Sequence, residues 1–189
     1  MTYKNKTYHL ADNLDPNIFT TDVWTIPLYD GTTLDIPSGE NDRWKLTSLI
    51  FKFCDQTKDV IDAHFLFGCQ GLTQLDLTGL SYIRVLGTDS FVQCHALTYA
   101  DFSSWTNIEA IGTHFLFSCN SLVEVNMGKI PARFLEAEAN NVSFTCGTIT
   151  CIPYVDGLKI YGDDKESYPT RFPKLEGTVW NMWRNLVVG

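Results

Sequence analysis

Between residues 64 and 138 the apolar and polar positions recur every 25 residues. Residues 64–88 read HFLFGCQGLTQLDLTGLSYIRVLGT, 89–113 read DSFVQCHALTYADFSSWTNIEAIGT, and 114–138 read HFLFSCNSLVEVNMGKIPARFLEAE. Leu66, Phe91 and Leu116 each stand three residues before a cysteine, and Leu72, Leu97 and Leu122 three after it. The apolar pairs Leu75/Leu77, Ala100/Phe102 and Val125/Met127 follow, split by Asp76, Asp101 and Asn126. Leu86-Gly87-Thr88 and Ile111-Gly112-Thr113 close two of the copies. An internal period of this length is the first thing a reading of fold must satisfy.

The alternation in LTQLDL is that of a half-buried strand. Segments Leu72–Leu77, Leu97–Phe102 and Val123–Met127 are therefore expected to stack as parallel strands about 4.8 Å apart. The remainder of each copy supplies the long crossover that parallel pairing needs. Thr88 and Thr113 are candidate N-caps for a short helical or 3₁₀ turn running to the cysteine. The expected fold class is a β-rich (α/β) solenoid of the leucine-rich-repeat kind. It is a right-handed coil with one parallel strand per copy and irregular N- and C-terminal caps. An antiparallel sandwich built from the same short apolar runs is the alternative.

The flanks lack the repeat. Val23–Tyr29 and Leu34–Pro37 enclose Asp30-Gly31-Thr32-Thr33, which predicts a hairpin with Pro27 on an edge strand. The stretch 39–63 fits loosely, with Leu46 and Leu49 in strand positions after a one-residue slip. Beyond 138, CGTITCIPYV and GLKIYG read as strands. Val179, Trp180, Trp183, Leu186 and Val187 have helical spacing after Gly177-Thr178. That helix is either a lid on the last coil or a docking segment through which the chain forms oligomers. The organisation expected is a hairpin cap over 1–38, a repeat body over 39–160, and a cap or docking segment over 161–189.

The order F/L–x–x–C–x–x–L–x–x–[LVA]–[DN]–[LFM], followed by [IV]–x–x–[IVL]–G–T, resembles the BspA-type leucine-rich repeats. A related pattern occurs in mycoplasma-type surface proteins. The resemblance covers 75 of the 189 residues. It implies a non-catalytic adhesion or protein-binding surface, of the sort found in bacterial, protist, viral and phage proteins.

Composition narrows the classes. With 14 Lys+Arg against 22 Asp+Glu the net charge is -8, a poor match to nucleic acid or anionic membranes. No run of 18 apolar residues is present to span a membrane. The opening MTYKNKTYHLADN has no apolar stretch of signal-peptide length. The expectation is thus a cytoplasmic protein, or part of an assembly made in the cytoplasm, and the cell surface only by another route. Six cysteines would suit a disulfide framework in a small secreted chain. Here Cys69, Cys94 and Cys119 mark a repeat position instead, and are expected as buried thiols. Cys54 lies outside the clear copies. Cys146 and Cys151 form a lone C-x₄-C, read as free thiols, a local disulfide or, least, part of a metal site.

Candidate chemistry also falls in columns. His64, Asp89 and His114 share one position, placing a carboxylate between two imidazoles at the start of the three turns. Asp76, Asp101 and Asn126 form a second column, and Gln74, Tyr99 and Glu124 a third, both on the strand face. Stacked carboxylates repel, and burial would raise at least one pKa. No phosphate loop, H-E-x-x-H or G-x-S-x-G motif occurs, and no cofactor or metal site is expected. The chain therefore reads as no enzyme. It reads as an interaction module that binds a protein or glycan through Gln74, Asp76, Tyr99, Asp101, Glu124 and Asn126, with Trp180 and Trp183 as a second anchor. The alternative is a structural subunit of a larger assembly, such as a phage virion protein.

Overall fold

The computed structural model describes residues 1–38, 42–112, 114–130 and 159–163. The N-terminal third builds β1 (Thr2–Tyr3), β2 (Lys6–Thr7), β3 (Val23–Pro27), β4 (Thr33–Pro37) and β5 (Leu46–Ile50). The following residues build β6 (Val60–Ile61), β7 (Gln74–Asp76), β8 (Val85–Leu86), β9 (Tyr99–Asp101), β10 (Ala110–Ile111), β11 (Glu124–Asn126) and β12 (Lys159–Tyr161). Helix is confined to 3₁₀ turns at Pro16–Thr20, Arg43–Lys45 and Thr78–Leu80 among the described residues.

These strands do not make the expected solenoid. They fall into four small sheets, ordered β2-β1-β5-β7, β10-β8-β6, β12-β11-β9 and β3-β4. The first is mixed, because β1 pairs antiparallel with β2 and β5 while β5 runs parallel to β7. β3 and β4 form an antiparallel hairpin. β7 and β9 occupy equivalent places in consecutive copies, yet β7 is laddered to β5 and β9 to β11. The described residues are therefore β-rich with small mixed, parallel and antiparallel sheets, and no single coil of parallel strands runs through them. The return half of the copies also pairs, through β6, β8 and β10, so one strand per copy undercounts them.

The turns before the cysteines are the second departure. His64, Leu66 and Gly68 have positive φ, as do Asp89, Phe91 and Gln93, and His114, Leu116 and Ser118. A left-handed residue at every second position cannot make a helical turn, which needs an unbroken right-handed run. The alternation aims successive peptide groups at the neighbouring copies. His64 N donates to Thr88 O at 2.8 Å, Gly68 N to Val92 O at 2.8 Å, and Phe91 N to Phe65 O at 2.7 Å. Gln93 N donates to Phe117 O at 2.8 Å and Leu116 N to Ser90 O at 3.0 Å. Left-handed backbone costs an ordinary residue about 1–2 kcal/mol. Full burial of Leu66, Phe91 and Leu116 offsets this, at about 1.5–3 kcal/mol per side chain.

One core runs through the described residues. Its spine is aromatic: Phe19 contacts Phe51 and Phe65, Phe65 contacts Phe91, and Phe91 contacts Phe115, with centroids 5.2–6.3 Å apart. The first and third copies place Phe-Leu where the middle copy has Ser90-Phe91. The exchange moves one ring to the adjacent position and keeps the stack filled. Ser90, fully buried, donates its hydroxyl to Gly87 O at 2.8 Å.

Candidate functional site

The strand-face residues divide between two sheets. Gln74 and Asp76 lie on β7, where Ser48 Oγ donates to Gln74 Oε1 at 3.0 Å. Tyr99, Asp101, Glu124 and Asn126 come together on β9 and β11, with Glu124 opposite Tyr99 and Asn126 opposite Asp101. β12 extends this face, setting Lys159 beside Glu124 and Tyr161 beside Asn126. Trp180 and Trp183, and the helix expected around them, lie outside the described residues, as do Cys146, Cys151 and Thr113.

The Asp76/Asp101/Asn126 column is not a set of bare, repelling carboxylates. Each side chain closes a turn at its strand's end. Asp76 Oδ1 accepts from Thr78 N at 2.9 Å and Thr78 Oγ1 at 2.7 Å. Asp101 Oδ1 accepts from Ser103 N at 2.8 Å, and Asn126 Oδ1 from Gly128 N at 3.1 Å. Aspartate and asparagine favour such turns because the short side chain reaches the N–H two residues on. Burial pushes the Asp101 carboxyl up, but hydrogen bonds from Ser103, Tyr99 and Asn126 outweigh it and hold it below its ordinary value.

Tyr99 is 43% exposed, and its hydroxyl donates to Asp101 Oδ2 at 3.0 Å. Lys159 Nζ sits 3.7 Å from Glu124 Oε1 and 4.8 Å from the centroid of the Tyr161 ring. A hydrogen bond to Glu124 pushes the Tyr161 phenol above its ordinary value, with smaller contributions from burial and Tyr99. The face thus carries two tyrosines in a network of carboxylates, an amide and an ammonium. Where β11 and β12 end, a cleft of about 290 Å³ opens, lined by Ser103, Asn126, Gly128, Lys129, Tyr161 and Asp163, with Gly162 beside them. Gly128 is left-handed, with φ +53°, and a Cβ there would collide with Ser103 Cα.

Sequence reasoning missed Lys159 and Tyr161. Tyr161 pairs with Asn126 across 35 residues, so the 25-residue register does not lead to it. It also missed the column Asp59, Arg84 and Glu109 at the edge of the β6-β8-β10 sheet. Arg84 donates to both Glu109 oxygens at 2.9 and 2.8 Å and to Asp59 Oδ2 at 2.9 Å. Equal spacing of opposite charges was the available signal. The histidine column does form: Asp89 Oδ1 is 2.8 Å from His114 Nδ1, and Oδ2 is 3.6 Å from His64 Nε2.

A wider cleft of about 430 Å³ lies elsewhere, with mainly apolar walls that include Leu10, Leu14, Tyr29 and Phe53. Cys54, Cys69, Cys94 and Cys119 are free, buried thiols. Burial pushes the Cys54 thiol up to about 11, helped by Asp15. Among the described residues no group of three His, Cys, Asp or Glu is placed to hold a metal ion. No helix among them is long and apolar enough to cross a membrane. No family model, curated protein or solved structure matches the chain.

Proposed function

We propose that this protein is a non-catalytic interaction module that takes a protein or glycan partner on the face of β9, β11 and β12. The observation that carries the reading is Tyr99. Its ring is exposed while its hydroxyl is held by Asp101 at 3.0 Å. A pre-oriented aromatic with a fixed polar tip loses little freedom on binding, and such residues dominate interface energetics. The open face suits a large partner better than a small reactant. The buried thiols of the described residues are poor nucleophiles, since the thiolate is the reactive form. The resemblance of residues 64–138 to BspA-type repeats supports a binding role.

The test is capture of partners from the source organism on the immobilised full chain, with Tyr99→Ala alongside wild type. Loss of the captured partner with unchanged thermal melting supports the face as the site. The same partners on both proteins would remove it and move the structural-subunit reading ahead.

A further inference from the structure

We infer that the Asn17 carboxamide stands in for a strand at the outer edge of β6, and that it keeps a second copy of this chain from pairing there.

β6 comes last in the order β10-β8-β6, so one of its sides faces β8 and the other faces no described strand. On the β8 side Gly87 N donates to Ile61 O and Arg84 N to Asp59 O, both at 2.8 Å. On the outer side Asn17 Nδ2 donates to Val60 O at 3.0 Å, and Asp62 N donates to Asn17 Oδ1 at 2.8 Å. A residue of a parallel strand set beside Ile61 makes the same pair of bonds. It gives its N–H to the residue before and takes the N–H of the residue after. One carboxamide carries both kinds of group. Asn17 therefore fills one residue's place in the ladder and presents no new strand edge beyond it.

The side chain is held in position by its own turn. Asn17 lies in the 3₁₀ turn Pro16–Thr20, where Asp15 Oδ1 accepts from Asn17 N at 2.9 Å. Thr20 Oγ1 donates to Asn17 O at 2.8 Å. Phe19 of the same turn is fully buried against Phe51 and Phe65, which anchors the turn to the core.

Satisfying buried polar groups does not account for the contact. Val60 is 43% exposed and Asp62 is exposed, so water would serve their backbone groups at little cost. Exclusion does account for it, because an open strand edge is a template for pairing with another chain. This edge is also self-complementary. In a two-fold antiparallel pairing, with Ile61 opposite its counterpart, each Asp62 N–H meets the Val60 carbonyl of the other copy. Asn17 takes both groups first. The Asp62 carboxylate adds a charge at the same edge, a second common guard against such pairing.

The test is sedimentation equilibrium of the full chain over a range of concentrations, for wild type, Asn17→Ala and the double variant Asn17→Ala/Val60→Lys. Melting curves check that the variants fold. The expected result is a mass for Asn17→Ala that rises with concentration toward twice the wild-type value. The double variant should return to the wild-type mass, because a lysine on the opened edge opposes pairing. A wild-type mass for folded Asn17→Ala at every concentration overturns the inference, as does association that Val60→Lys leaves unchanged. Hydrogen exchange of the wild-type protein decides the case if Asn17→Ala does not fold. The exposed Asp62 amide should then exchange more slowly than in the unfolded chain, and exchange at the unfolded-chain rate overturns the inference.

Discussion

The Cys119 thiol donates to the carbonyl of Phe91 at 3.1 Å, across 28 residues of chain. Cys94 makes the equivalent contact to Leu66 O at 3.5 Å. Both acceptors belong to left-handed residues whose carbonyls turn into the core. The repeated cysteine is therefore a small apolar side chain with a donor where one is needed, which explains why leucine or alanine does not take its place. Replacing Cys119 with alanine should cost about 1–3 kcal/mol, the usual penalty for an unpaired buried carbonyl. Serine, which keeps a donor, should cost less. Denaturant midpoints of the two variants check this ordering, and a greater loss for serine would contradict it.

The same burial governs reactivity. Cys69, Cys94 and Cys119 are fully buried, and burial drives the Cys119 thiol well above its ordinary value. A thiol reagent at neutral pH should modify none of the three in the native protein and all three after denaturation. Peptide mass mapping separates them from the other cysteines. Rapid native labelling of the column would mean that it faces solvent.

Much of the register was legible in the sequence. The 25-residue period places Tyr99 opposite Glu124 and Val85 opposite Ala110. The one-residue slip suspected around Leu46 and Leu49 appears as Ser48 pairing with Gln74, 26 residues on. Asp30-Gly31 marked the β3–β4 hairpin, because Asp30 Oδ1 accepts from Thr32 and Gly31 has φ +82°. The turns were not legible. Histidine, leucine, aspartate, phenylalanine and glutamine hold left-handed conformations that normally call for glycine, and long-range hydrogen bonds and burial in the core support them. Continuity of the sheet was equally hidden, since no local signal shows that β7 and β9 stay unladdered. For the site, the residues on β9 and β11 were found by register, while Lys159 and Tyr161 fall outside it.

Gly87, near the end of its copy, serves a close approach of backbone to backbone. A Cβ there would be driven into the backbone of Asp62 and Ala63, just before the first copy. Gly87→Ala should destabilise by about 1–3 kcal/mol through overpacking. Leu97→Ala, at a fully buried position, should cost about 2–5 kcal/mol. Chemical denaturation measures both, and a near-neutral Leu97→Ala would contradict the core register.

Acid should weaken the fold. Hydrogen bonds from Thr32 and Thr57 hold Asp30 and Asp55 below their ordinary values, and Lys4 does the same for Asp42. Arg84 lowers Glu109, and Asp101 is lowered as described. A carboxyl whose folded value is depressed stabilises the native state fully above its unfolded value, near pH 4, and loses that contribution as pH falls through the folded value. From these groups melting temperature should be flat above about pH 5 and fall progressively below about pH 4. A melting temperature that rises on acidification through that range would contradict the assigned hydrogen bonds.

The most direct measurement of the binding account is the dissociation constant of a captured partner for three proteins: wild type, Tyr99→Ala and Tyr29→Ala. Tyr29 is 73% exposed and lies off the strand face, so it controls for loss of any exposed aromatic. The account predicts a loss of about tenfold or more for Tyr99→Ala, the signature of a hot-spot aromatic, with Tyr29→Ala matching wild type. Equal affinities for Tyr99→Ala and wild type would contradict it.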